Sequence, residues 1–238
     1  MARCLSAAVT VVRGFILVSL FGSSVSAQGW LSGPGRGSVG GVSSVSISDD
    51  GTQISGGVVY SPNGSVDLGF STARGWFDES DLGADLRLTS FGPLLTLYPV
   101  HYTDELPVVV SMSGSYSRLG FSGDILDDLN VDIRGKSWSF SGSLLGVFKN
   151  EHARLIPSIG VTHTRTSLTF KALRQSESSD DSATSLDAGF SLVFDSEDGT
   201  AFHIGPGVSV TEEGTTFSLS IGIGVSIPET TLRGGQPP

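Results

Sequence analysis

From residue 42 onward the chain alternates: an apolar residue is followed by Ser, Gly, Thr or Asp, and this period of two recurs in segment after segment. Only an extended strand sends successive side chains to opposite faces, so the pattern dictates β-strands and leaves no stretch with a helical period. Val66, Leu68 and Phe70 alternate with Asp67, Gly69 and Ser71, and Leu82, Ala84, Leu86 and Leu88 with Gly83, Asp85, Arg87 and Thr89. Val108, Val110, Met112 and Tyr116 stand against Ser111, Ser113, Ser115 and Ser117, and Phe217 through Ile227 against Ser218, Ser220, Gly222, Gly224 and Ser226. Strands are expected to start near 42, 52, 65, 82, 107, 137, 153, 183, 200 and 215, ten in all, and because the first is weak the expected number is eight to ten. Gly51, Gly64, Gly199 and Gly214 fall where tight hairpins need positive φ. Longer polar connections are expected at 77–81, 118–136, 167–182 and 92–106.

Two antiparallel architectures fit such strands: a soluble sandwich with its apolar face inward, and a barrel with its apolar face outward to lipid. A water-facing surface is typically a quarter to a third charged. Here the second face is mostly Ser and Gly, charged residues are 16% of the chain, and the segments run longer than the five or six residues usual in soluble sheets. Small polar side chains suit an enclosed lumen, and membrane barrels alternate apolar-out with polar-in over about ten residues per strand. The expectation is therefore an all-β chain, an antiparallel up-and-down transmembrane β-barrel of 8–10 strands. A secreted or periplasmic β-sandwich that binds a ligand is the alternative.

Aromatic placement supports the barrel. With the N-terminus on the periplasmic side, Tyr60, Tyr98, Phe148, Phe194 and Phe202 fall near one rim, and Trp76, Tyr116, Trp138, Phe170 and Phe217 near the other. Those are the two girdles of a membrane barrel. Residues 1–27 carry Arg3 and Arg13, an apolar run from Gly14 to Phe21 and a small-residue end at Val25-Ser26-Ala27, the signature of a secretory signal peptide. A Gly-rich lead over 28–41, the barrel over 42–228 and a tail over 229–238 complete the expected organisation.

Few residues could carry chemistry. The chain has 14 Lys+Arg against 24 Asp+Glu, a net charge of −10, and no basic cluster, which argues against nucleic-acid binding. One cysteine and four scattered histidines supply neither a disulfide framework nor a zinc site, and no cofactor is expected. Asp67, Asp85, Arg87, Asp187 and His203 are the ionisable groups expected in the lumen. They would form either a charged constriction for small solutes or an ion-pair network that fills the interior. The run Glu177 to Asp181 lacks the spacing of a calcium loop. A lipid-modifying enzyme would require His163 or His203 beside a Ser or Thr and a carboxylate.

The signal segment, the alternating strands and stretches such as LIPSIGVT (155–162) and FHIGPGVS (202–209) together resemble the small outer-membrane β-barrel proteins of Gram-negative bacteria. The resemblance covers residues 42–228. It implies an outer-membrane location, contact with outer-membrane lipid, insertion by the barrel assembly machinery, and a non-enzymatic role as a narrow solute channel or a structural and surface-interaction barrel. It sets no oligomeric state. Such chains commonly finish on an aromatic residue of the last strand, whereas this one runs on past Ile227 to Pro238.

Overall fold

The computed structural model describes residues 36–49, 51–79, 84–128, 130–151, 153–172 and 175–227. The expected signal segment, most of the lead and the tail lie outside them. Eleven strands run in chain order: β1 Gly37–Ser48, β2 Gly51–Ser61, β3 Val66–Glu79, β4 Ala84–Val100, β5 Val108–Ser122, β6 Val131–Gly146, β7 Phe148–Lys149, β8 Ala153–Ala172, β9 Gln175–Asp195, β10 Thr200–Val210 and β11 Thr215–Ile227. A one-turn helix, α1 (Asp124–Asp128), joins β5 to β6. Each long strand pairs antiparallel with its neighbour, β1 pairs β11 and β6 pairs β8, so ten strands close into a barrel while two-residue β7 pairs only with β8. Closure into one wall removes the sandwich.

The register fixes the shape. Followed from Val45 through Ile54, Arg74, Thr89, Gly120, Arg134, Thr169 and Ser178, and on by the pairings of β9 to β11, it returns to β1 twelve residues further along. For ten strands this shear corresponds to a tilt of about 40°, so each residue adds about 2.5 Å of height. On β11, Phe217, Leu219, Ile221, Ile223, Val225 and Ile227 all face outward. Ten residues of rise make this apolar band about 25 Å tall, the height of a membrane barrel's lipid belt.

Several strands exceed their expected bounds. Residues 37–41 of the lead belong to β1, with Gly37 opposite Ile227, and β4 continues to Val100. Most of 118–136 is strand, and 167–182 is a hairpin of β8 and β9 in which Ser167 pairs with Asp180. Ladder bonds use the backbone alone, so polar and Gly-rich stretches extend a strand wherever a neighbour offers free N–H and C=O groups. Gly64 (φ 73°) and Gly199 (φ 84°) take left-handed conformations as expected. Gly214 does not, because the Thr211 hydroxyl shapes that turn by accepting from the N–H groups of Glu213 and Gly214 (both 3.2 Å). In the 196–199 turn, the Thr200 N–H donates to Asp198 (2.9 Å) and holds its carboxyl below the usual carboxylate range.

Strand heights are uneven. Gly37 and Ile227, the first and last strand residues, pair at one end of the barrel, here called the terminal end. At the other, distal end β3 to β9 rise past the short β10, β11, β1 and β2 as a curved wing. On the wing the faces exchange character. Phe77, Leu86, Leu88, Leu119, Ile133, Leu168 and Phe170 turn inward and pack with Leu126 of α1 into a buried cluster. Leu86, Leu88 and Phe170 thus lie inside, not on the outer surface where alternation alone placed them. Beyond the lipid belt water bathes the outer face, so burial favours the opposite side.

Candidate functional site: a serine-lined lumen closed at its terminal end

Inward positions at mid-height are small and polar: Ser71 on β3, Ser111, Ser113, Ser115 and Ser117 on β5, Ser139, Ser141 and Ser143 on β6, Ser158 on β8, and Ser218 and Ser220 on β11. They line a cavity of about 240 Å³. Hydroxyls zip neighbouring strands together across it, as in Ser44–Ser55 (2.6 Å), Thr96–Ser113 (2.8 Å) and Ser139–Thr164 (2.7 Å). Asp187 projects into this chamber from β9 and accepts from the hydroxyls of Thr162 (2.7 Å), Ser185 (3.0 Å) and Ser209 (2.6 Å). Three hydroxyl donors thus converge on one carboxyl group, and no described cation forms an ion pair with it.

Toward the terminal end the serines give way to Tyr98, Val109, Val147, Ile156, Val193 and Ala201, with Leu145 and Tyr102 packed against them. Val109 and Val193 are 0% exposed and Ile156 1%. The Tyr98 hydroxyl donates to Asp67 Oδ2 (2.8 Å), also wholly buried. Below this layer Arg154, itself buried, forms a two-pronged pair with Asp195, its Nε donating to Oδ2 at 2.7 Å and its terminal nitrogen to Oδ1. Among the described residues no three His, Cys, Asp or Glu side chains assemble a metal site.

No protein-family model matches the sequence, and no curated protein does. Solved structures do. The translocator domain of the autotransporter NalP from Neisseria meningitidis superposes with a TM-score of 0.51 at 12% identity, covering 92% of this chain and 96% of that one. The attachment invasion locus protein Ail of Yersinia pestis, in complex with the heparin analogue sucrose octasulfate, gives 0.42 at 19%, covering 82% and 99%. The outer-membrane protease OmpT from Escherichia coli gives 0.42 at 9%, covering 82% and 94%. The chain folds as a bacterial outer-membrane β-barrel. The likeness is one of fold, and it agrees with the closed ten-stranded wall and its outward apolar band.

Of the ionisable residues expected in this barrel's lumen, Asp67, Asp187 and His203 point inward. They do not converge: Asp67 and His203 sit in the terminal layer, Asp187 at mid-height. Arg87 lies on the outer face opposite Trp76, and Asp85 pairs with Asp78 and shares the parity of Arg87. The polarity exchange on the wing moved Arg87 out of the lumen, and the side chain of Asp85 lies outside the described residues. His203 is buried, with neither ring nitrogen hydrogen-bonded, and its ring lies over Gly222, where a Cβ would come within 2.2 Å of Cε1.

Tyr60, Trp76, Trp138, Phe148, Phe194 and Phe202 are exposed on the outer face, and half-buried Tyr116 meets Trp138 there with ring centroids 4.5 Å apart. Tyr98 is the exception. It shares a face with Thr96, not with Leu97, and lies inside against Asp67. Arg154 and Asp195 were not foreseen in the interior, although a strand was expected to start near 153 and Arg154 shares the inward parity of Ile156.

Proposed function

We propose that this outer-membrane barrel is a closed, non-conducting and non-enzymatic protein with a structural and surface-interaction role. The observation that carries the reading is the terminal layer. A water path would wet the inward side chains at every height, yet Val109 and Val193, three strands apart, are 0% exposed in one cluster and Asp67 is sealed under Tyr98. The serine chamber then holds water or a small polar molecule and leads nowhere. The taller wing, with α1 and the β8–β9 hairpin, is the surface offered outward, since such barrels keep short turns on the periplasmic side.

The histidine geometry supports a non-enzymatic role. His163 Nδ1 lies 3.0 Å from Thr184 Oγ1, but the pair sits on the outer face and no described carboxylate completes it. His101 meets Ser65 (3.1 Å) at the terminal end, again without a described carboxylate. A nucleophile needs a base oriented by a third group. Single-channel recording of the full chain in a planar bilayer tests the reading. No unitary steps are expected from the wild type, whereas Val109→Gly combined with Val193→Gly opens the terminal layer and gives them. Ohmic steps from the wild type would return the narrow solute channel.

A further inference from the structure

We propose that the serine chamber is a one-ended binding pocket for a small hydroxyl-bearing ammonium compound, of the chemical class of a single amino sugar, entered from the distal side. The inference rests on the closed terminal layer, which makes the chamber a pocket and not a stretch of channel. Its lining reaches Ser209 and Thr216, beside the turn that joins β10 to β11, so the chamber meets the distal rim where the wall is low. Its floor is Tyr98, Leu145 and Ile156 of the terminal layer. At about 240 Å³ it is smaller than the roughly 300–1,000 Å³ of drug-sized sites, and it suits a single sugar ring or about eight waters.

Two features of the lining select the ligand. Asp187 is the one Asp, Glu, Lys, Arg or His among the described lining residues. Its Oδ1 accepts from Ser185 and Ser209, whereas Oδ2 accepts from Thr162 alone. A carboxylate offers about four lone-pair sites, so Oδ2 keeps one for a further donor. The inward positions around it are glycines: Gly160 lies directly across on β8, Gly189 two residues along β9, and Gly207 opposite Gly189 on β10. The wall beside the carboxylate is thus bare backbone. The second feature is a set of hydroxyls without protein partners. Ser115, Ser141, Ser143, Ser158 and Ser218 line the chamber, and none makes a hydrogen bond with another described residue. Each can both donate and accept, which matches the hydroxyls of a polyol, while an ammonium group on Oδ2 makes the charge-assisted bond. An anion or a zwitterion finds no cation in the lining, and a divalent metal ion finds one carboxylate where it needs several oxygen ligands.

Isothermal titration calorimetry of the full chain folded in detergent micelles, at about pH 6 where an amine is charged, tests this with glucosamine, glucose and glucosamine 6-phosphate as probes. Glucosamine should bind at least about tenfold more tightly than the other two, because it alone brings a cation without an anion. Asp187→Asn keeps the shape of the side chain and should lose about tenfold. Ser115→Ala combined with Ser141→Ala should lose about fivefold, whereas Glu197→Gln in the exposed terminal turn should change nothing. If Asp187→Asn lacks the folded gel mobility, the serine pair and the wild-type comparison of the three probes give the same decision. Glucose or the phosphate ester binding as well as glucosamine, no binding of glucosamine at all, or a folded Asp187→Asn variant that binds as the wild type does overturns the pocket. Unitary steps from the wild type in a planar bilayer would instead overturn the closed terminal layer beneath it, a separate result that the calorimetry does not touch.

Discussion

Replacing Tyr98 by Phe tests the closed terminal layer with the loss of one oxygen. Its hydroxyl donates to Asp67 Oδ2 at 2.8 Å, and Asp67 is wholly buried, so water cannot take over the bond. The Phe ring keeps the packing against Val109, Ile156 and Val193, leaving the hydrogen bond as the difference. Losing one partner of a buried hydrogen bond costs about 1–3 kcal/mol. For a domain of this size, about 2–4 °C of melting temperature per kcal/mol converts this to a drop of about 2–12 °C. The assay is the fraction keeping unboiled gel mobility as temperature rises, with Tyr60→Phe on the exposed outer face as the control that should not move. A cycle with Asp67→Asn should show a coupling of about 0.5–3 kcal/mol. An unchanged midpoint, or strictly additive single variants, would refute the sealed pair and the plug built around it.

Three further substitutions separate the membrane belt from the wing. Ile159→Arg places a cation at the middle of the outward apolar band and should cost about 2–4 kcal/mol in urea unfolding from vesicles, while Thr169→Arg on the outer face of the wing should cost nothing measurable; equal effects would contradict the assigned belt. Leu88→Ala empties part of the wing's buried cluster, at about 2–5 kcal/mol, and should admit protease to the β8–β9 hairpin while the barrel keeps its folded gel mobility. Loss of the whole barrel would mean that the wing and the belt share one core.

The ten strands and most of their starts were legible because period two survives any tertiary arrangement, whereas β1, β6 and β9 begin five to eight residues before the expected 42, 137 and 183. Phe217 to Ile227 against Ser218 to Ser226 could only be a strand with an apolar and a small polar face, and the sparse charge on the second face indicated which side met lipid. The candidate site was less legible. Asp67, Asp187 and His203 follow the parity of their strands, but parity gives no height, so their separation into two levels was hidden until the shear was known. Tyr98 was misplaced because an aromatic residue near a strand end suits an interface or an interior equally well; the Thr96–Ser113 hydroxyl pair shows which face it shares. Arg154 was hidden among apolar neighbours, and its partner Asp195 lies 41 residues away.

The misreading of Leu86 and Leu88 points to a signal the sequence does carry. In β4 the backbone alternates without interruption from Leu86 to Thr96, yet the apolar residues change phase, inward at Leu86 and Leu88 and outward at Phe91, Leu95 and Leu97. The same slip occurs between Tyr116 and Leu119 in β5, between Ile133 and Trp138 in β6, and between Val161 and Leu168 in β8. A strand with one core on one side has no reason to slip. One that passes from lipid into water must, because the solvent that rejects polar side chains gives way to one that rejects apolar side chains. Arg87, Arg118, Lys136 and Arg165 stand at or near these slips, where a charged head reaches water while its stem covers the last apolar surface. The upper membrane boundary is therefore written twice along β4 to β8, once as a change of phase and once as a cation. β10, β11, β1 and β2 end near that height, and no apolar residue on their described distal ends turns inward to build a second core.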